Sequence, residues 1–308
     1  MVLKRIKFFI QLLLSVVIVA VMFNMFAEDF LRIELDFDPT SVFVAVLLVF
    51  ASIVPRVYRW FLLMKSGADG ISITFWDSFK ITLVGLALNI ISPAGSGDVL
   101  KSYYGYQWTG VKERMVAVSL YDKLIAILSL GLIAVVGFLY SFSWSYLIAA
   151  SICITIFLLL TNPLIILWAS RVKLLEKINE KTLKLNFVKL SSGLNFSKTT
   201  IFSTISLSLF AWLIDFVFLF YCLKWSGVNL IINEAIFNGA ILKLGKLFPF
   251  TLNGMGTDEL IMGFLFANDK SEIGLVLIAS VLYRIMIDVV PALLGVVFIL
   301  TGKKRLNE

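Results

Sequence analysis

The residues able to do chemistry in this chain are charges set inside apolar stretches. Arg284 and Asp288 stand one helical turn apart within the apolar run 274–301, and Asp122-Lys123 lies within 115–140. At about 1.5 Å per helical residue, Arg284 is roughly 15 Å into its run, near the middle of a bilayer core. Arg56 and Arg59 in the run 41–64, and Asp215 in the run 199–223, complete the set. A charge at the centre of a spanning helix costs on the order of 3 kcal/mol, so such groups should face the protein interior or a wet cavity. Two uses fit them. They form internal ion pairs that lock helices together, with Asp288 the ready partner of Arg284, or they line a path for a charged ligand.

Other chemistries are excluded by what is missing. The chain has no His, which removes imidazole acid–base catalysis and Cys/His metal sites. No metal or cofactor is expected. Cys153 and Cys222 both fall in apolar runs and read as small buried hydrophobes rather than a disulfide.

The elements that must position these charges repeat. An apolar segment breaks near Asn89-Ile90-Ile91-Ser92-Pro93-Ala94-Gly95-Ser96-Gly97-Asp98, and a polar stretch then leads into 115–140. A second segment breaks at Pro249 and at Asn253 to Glu259, with Gly254 and Gly256, and leads into 274–301. Proline ends the incoming arm and glycine permits the reversal, so both breaks read as hairpin tips. Asp98 and Glu259 then fall at the start of returning helices, where a carboxylate serves equally as a cap or as a functional group. Lys101, one turn beyond Asp98, is placed to pair with it or to meet a lipid phosphate. Lys243 and Lys246 stand on the second incoming arm. Paired broken segments in corresponding halves point to a membrane transport site.

Composition says where this happens. Sixty per cent of the residues are hydrophobic, 15% are charged and mean hydropathy is +0.96, far from a soluble domain. Runs 6–27, 41–64, 115–140, 144–169, 199–223 and 274–301 are each long enough to cross a bilayer, giving an all-α polytopic membrane protein with about six full spans. The first run is longer than a signal-peptide core and lacks a small-residue cleavage site, so it reads as a retained helix. Trp60, Trp76, Trp108, Trp144 and Trp225, near segment ends, read as interfacial anchors.

The net charge of +7 comes from cations beside the apolar runs, which suits anionic lipid headgroups and not nucleic acid. Lys4, Arg5 and Lys7, the basic loop 171–198 and the tail Lys303-Lys304-Arg305 all point to the cytoplasm. That count requires 75–114 to enter and leave by the cytoplasmic face and 235–268 by the outer face. The chain then forms one membrane domain, 1–308, with halves 1–140 and 144–301 in an inverted repeat carrying two re-entrant hairpins. Both termini are cytoplasmic and the location is the cell membrane.

Taken together, five motifs resemble the flippase-like membrane region of lysylphosphatidylglycerol synthases. They are Arg56…Arg59-Trp60, the run from Asn89 through Pro93, Gly97 and Asp98 to Lys101, Tyr121-Asp122-Lys123, Gly254-x-Gly256-x-x-Glu259, and Tyr283-Arg284. The family pattern has Glu then Arg around the first tip and Glu-Arg in the following helix. Here Asp98, Lys101 and Asp122-Lys123 keep the charge signs, with Lys giving a point charge instead of a bidentate fork. The resemblance implies a lipid translocase for an anionic phospholipid or a polyprenyl-phosphate-linked glycan. Its binding and charge-balancing residues would be Arg284, Asp288, Asp122, Lys123, Asp98, Lys101, Glu259, Arg56 and Arg59. Lysyl transfer is not implied, since the aminoacyl-transferring domain is missing from the sequence. Two alternatives stay open: a membrane-embedded glycosyl or headgroup transferase with Asp98 or Glu259 as base, and a non-catalytic partner of a separately encoded glycosyltransferase or lipid-modifying enzyme.

Overall fold

The computed structural model describes residues 39–66, 73–92, 97–140, 196–246, 251–269 and 272–301, with isolated helical positions between 13 and 24. The expected spans 6–27 and 144–169, the basic loop 171–198 and the tip residue Pro93 therefore lie outside the described residues. Eight helices make up the rest, with no strand among the described residues. They are α1 (Pro39–Lys65), α2 (Phe75–Ile91), α3 (Gly97–Thr109), α4 (Lys112–Tyr140), α5 (Lys198–Trp225), α6 (Ile232–Gly245), α7 (Thr257–Phe266) and α8 (Ile273–Thr301). Four of them, α1, α4, α5 and α8, are long and apolar enough to cross a membrane.

Local chemistry sets the helix starts. Thr74 caps α2 by accepting from the Asp77 N–H at 3.1 Å, while the Asp77 carboxylate takes the Thr74 N–H at 3.1 Å. Ser197 caps α5 in the same way through Thr200 N. Within α8 the turns loosen into a π-helical stretch at Ile285–Val289. Pro291 follows at once, lacking an N–H and crowding the carbonyl four residues back, and the wider turn accommodates it.

The two broken segments fold as antiparallel helix pairs. In α2–α3, Asn89 lies against Gly97, Gly85 against Lys101 and Ile81 against Gly105. A Cβ on Gly97 would sit 2.3 Å from the Asn89 nitrogen and 2.6 Å from the Gly85 carbonyl oxygen, so this contact requires glycine. In α6–α7, Asn238 donates to the Leu265 carbonyl at 3.1 Å near the open end, and Gly245 meets Ile261 near the tip.

The packing of these helices is two-fold repetitive. Exchanging α1 with α5, α2 with α6, α3 with α7 and α4 with α8 maps the principal contacts onto one another. The pair α1–α5 maps onto itself, α3–α4 onto α7–α8, and α2–α8 onto α6–α4. Each hairpin is thus covered by the long helix that closes the opposite half.

Burial runs opposite to that of a water-soluble protein. Phe43, Phe50, Phe202, Phe264 and Leu300 are exposed, while Arg59, Lys101, Asp122 and Asp215 are buried. Trp60 departs from its expected interfacial role. It stands five residues before the end of α1, is fully buried, and lies with its ring 5.6 Å from the Lys101 ammonium.

Candidate functional site

The charges converge from both halves onto one cavity of about 140 Å³, lined by every helix except α7. Arg56, Arg59, Asn89, Asp98, Lys101, Asp122, Lys123 and Asp288, all anticipated from sequence, lie in its wall. With them stand Trp212, Asp215, Lys243 and Lys246. Its charged side chains and room for several waters suit it to hold water, and intramembrane charge is tolerated at such a site.

Each anchor is built from identifiable parts. Asp122 of α4 accepts from Arg59 Nε at 2.6 Å and from Lys101 Nζ at 2.9 Å, joining α1, α3 and α4 at one carboxylate. Arg59 also donates to Ser208 of α5 at 2.9 Å. Arg56 pairs with Asp215, linking α1 to α5, and its guanidinium lies 5.3 Å from the Trp212 ring centroid. At the first tip, Asn89 uses both ends of its amide. Its oxygen accepts the Asp98 N–H and its nitrogen donates to the Asp98 carboxylate, both at 3.2 Å. Asp98 in turn accepts from Lys123 at 2.8 Å.

The second tip has an equivalent arrangement beside a smaller cavity lined by Lys243, Asp258, Glu259, Tyr283, Arg284 and Asp288. Asn253 and Gly254 both have left-handed backbone, at φ 48° and 72°. Asparagine tolerates that region and glycine occupies it freely. A Cβ on Gly254 would also lie 2.1 Å from an Asp258 carboxylate oxygen. Gly256 N–H donates to Glu259 at 2.6 Å, closing the first turn of α7. Arg284 then binds the tip at four points: Glu259 at 2.9 Å, and Asp258 with the Asn253 and Gly254 carbonyls at 3.2 Å each. In both halves a cation on the closing helix holds an acid 25 residues earlier, at the start of the returning helix.

Two pairings differ from the sequence reading. Asp288 is not the partner of Arg284; it accepts from Lys246 at 2.8 Å. Arg284 is instead committed to the second tip, and Lys246 at the end of the α6 arm reaches Asp288. Lys101 pairs with Asp122 and not with Asp98, because it projects along the α3 face toward α4. At the second tip the acids Asp258 and Glu259 and the Asn253 and Gly254 carbonyls are engaged by Arg284. Asp215, read from sequence among the buried charges, is a full member of the network, and so are Asp258 and Lys246, which the expected binding set omitted. The two lysines one turn apart on the otherwise apolar α6 arm were the available signal for Lys246.

Among the described residues no group of three or more Asp, Glu or Cys side chains is arranged to hold a metal. The arrangement suits holding an anionic group among buried cations.

An all-helical fold with spanning helices around buried charge defines a polytopic membrane protein. The chain belongs to the family of the lysylphosphatidylglycerol synthase transmembrane region, whose model matches residues 8–295. Compared with curated proteins one by one, it gives no match.

Proposed function

We propose that this protein moves a phosphate-bearing lipid, either an anionic phospholipid or a polyprenyl-phosphate-linked glycan, between membrane leaflets. The observation that carries the reading is the cavity where charged side chains from both halves meet. The four described spans, with 6–27 and 144–169, make six crossings. The two helix pairs enter from opposite faces as re-entrant hairpins, and the halves form an inverted repeat with both termini cytoplasmic. Two-fold contact equivalence and the matched Asp98–Lys123 and Glu259–Arg284 pairs support this arrangement. Each pair ties a tip to its closing helix, so breaking one and keeping the other opens the cavity to one side at a time. A separately encoded glycosyltransferase or lipid-modifying enzyme would supply or consume the lipid.

Liposomes carrying the purified protein and a headgroup-labelled lipid test the activity. An impermeant quencher should reach label in both leaflets for anionic lipids, whereas protein-free liposomes should protect half of it. Protection of half the label for every phosphate lipid tried refutes translocation. Single cysteines at Ser96 and Asn253, in a background without Cys153 and Cys222, should react with impermeant reagents from opposite faces. Reaction from one face overturns the inverted arrangement.

A further inference from the structure

Among the described residues, every cation lining the central cavity has a carboxylate partner except one. Arg56 has Asp215, Arg59 and Lys101 share Asp122, Lys123 has Asp98, and Lys246 has Asp288. Lys243, on the incoming arm of the second hairpin, has neither a carboxylate within 4.0 Å nor a hydrogen bond among the described residues. Its side chain is 8% exposed, and it lines both the central cavity and the smaller one beside Arg284. The Tyr283 ring lies 4.5 Å from the ammonium and covers one side of it. A ring face accepts no conventional hydrogen bond, so three N–H donors remain to be met. Cation–π attraction offsets only part of the cost of burying an ammonium.

The charge count locates the same vacancy for an anion. Six cationic and four acidic side chains line the cavity, an excess of two positive charges. One arises because Asp122 serves two cations, and the other is Lys243. Asp288, Asp215 and Asp258 attract it from a distance, but each is held more closely by another cation: Asp288 by Lys246 at 2.8 Å, Asp215 by Arg56, and Asp258 by Arg284 at 3.2 Å.

We propose that Lys243 is the anion-binding residue of this cavity. It takes a non-bridging oxygen of a phosphate group and makes the site prefer headgroups of net negative charge over zwitterionic ones. This rests on reading the cavity as the lipid's path. The paired cations shape the wall, while Lys243 offers donors that no protein group uses. A lipid phosphodiester and free inorganic phosphate share the recognised chemistry, and the test separates them.

The experiment measures binding of dihexanoyl-phosphatidylglycerol, dihexanoyl-phosphatidylcholine and inorganic phosphate to the full chain in nanodiscs. Wild type should bind the glycerol lipid about tenfold or more tightly than the choline lipid. Lys243→Gln should remove most of that preference, and Lys243→Arg should retain it. Tight binding of inorganic phosphate with no gain from the lipid would assign the site to the free ion. A preference that survives in Lys243→Gln overturns the proposal, as does equal binding of both lipids by wild type. A second readout needs no variant: the reaction rate of Lys243 with an amine-directed reagent, followed by peptide mass spectrometry. Bound phosphatidylglycerol should slow it at least threefold, and an unchanged rate overturns the proposal. Loss of translocation with binding intact removes the transport reading alone. Translocation without Lys243-dependent binding removes this inference alone.

Discussion

Replacing Arg284 by Ala deletes a guanidinium that fastens α8 to the second tip at four points. Its side chain is 14% exposed, and those of Asp258 and Glu259 are 12% and 9% exposed, so solvent screens little of the interaction. Breaking a buried pair by removing one partner costs about 3–5 kcal/mol, because the remaining charge stays buried. Lys246 lies 3.5 Å from Asp258 and compensates part of the loss, which places Arg284→Ala near the low end, about 3 kcal/mol. For a chain of 308 residues the midpoint of thermal unfolding should fall by roughly 5 °C. Arg284→Lys should recover less than half of it, since an ammonium cannot span two carboxylates and two carbonyls at once. Unfolding in detergent gives the stability, and the liposome assay gives the rate, which should drop with the tip unfastened. A midpoint within about 2 °C of wild type, or Arg284→Lys as stable as wild type, would refute the reasoning.

Three further outcomes are expected. Gly97→Ala brings a methyl against backbone at 2.3 Å and should cost about 1–3 kcal/mol, read as lower unfolding temperature and slower translocation. Asp122→Asn should destabilise more than Asp98→Asn. Its carboxylate is 4% exposed and shared by two buried cations, whereas Asp98 and Lys123 are 28% and 20% exposed; equal effects in thermal unfolding would contradict the packing. Gly254→Ala should lower the unfolding temperature, because its φ of 72° disfavours a side chain and the new Cβ would lie 2.1 Å from an Asp258 carboxylate oxygen; an unchanged unfolding temperature would contradict this.

The long helices were legible because length and apolarity alone define a span. The expected runs 41–64, 115–140, 199–223 and 274–301 each fall within three residues of a helix boundary. Both hairpins were legible from their glycines and prolines. Pairing was not, because chain spacing does not say which helix a side chain meets. Asp122 and Lys123 are adjacent, yet successive helical residues point about 100° apart. One therefore reaches Arg59 and Lys101 while the other reaches Asp98. Asp288 shows a second limit: it stands four residues from Arg284, yet each of the two is taken by a group on another element, Lys246 and the second tip. Asn89 marked a tip in the sequence, but its clamp on Asp98 depends on the register fixed by Gly97.

The crossing of hairpins between halves has a consequence for synthesis. The outer face of α2 is covered by α8, where a Cβ on Gly295 would lie 2.1 Å from the Leu83 carbonyl oxygen. About 210 residues separate these positions, which at ribosomal speeds is roughly 10–40 s. Through that interval the first hairpin is made but uncovered, with Asp98 and Lys101 held by contacts within its own half. Completion of this contact therefore waits on α8, and a chain stopped before Gly295 would expose a finished hairpin to the quality-control machinery of the membrane.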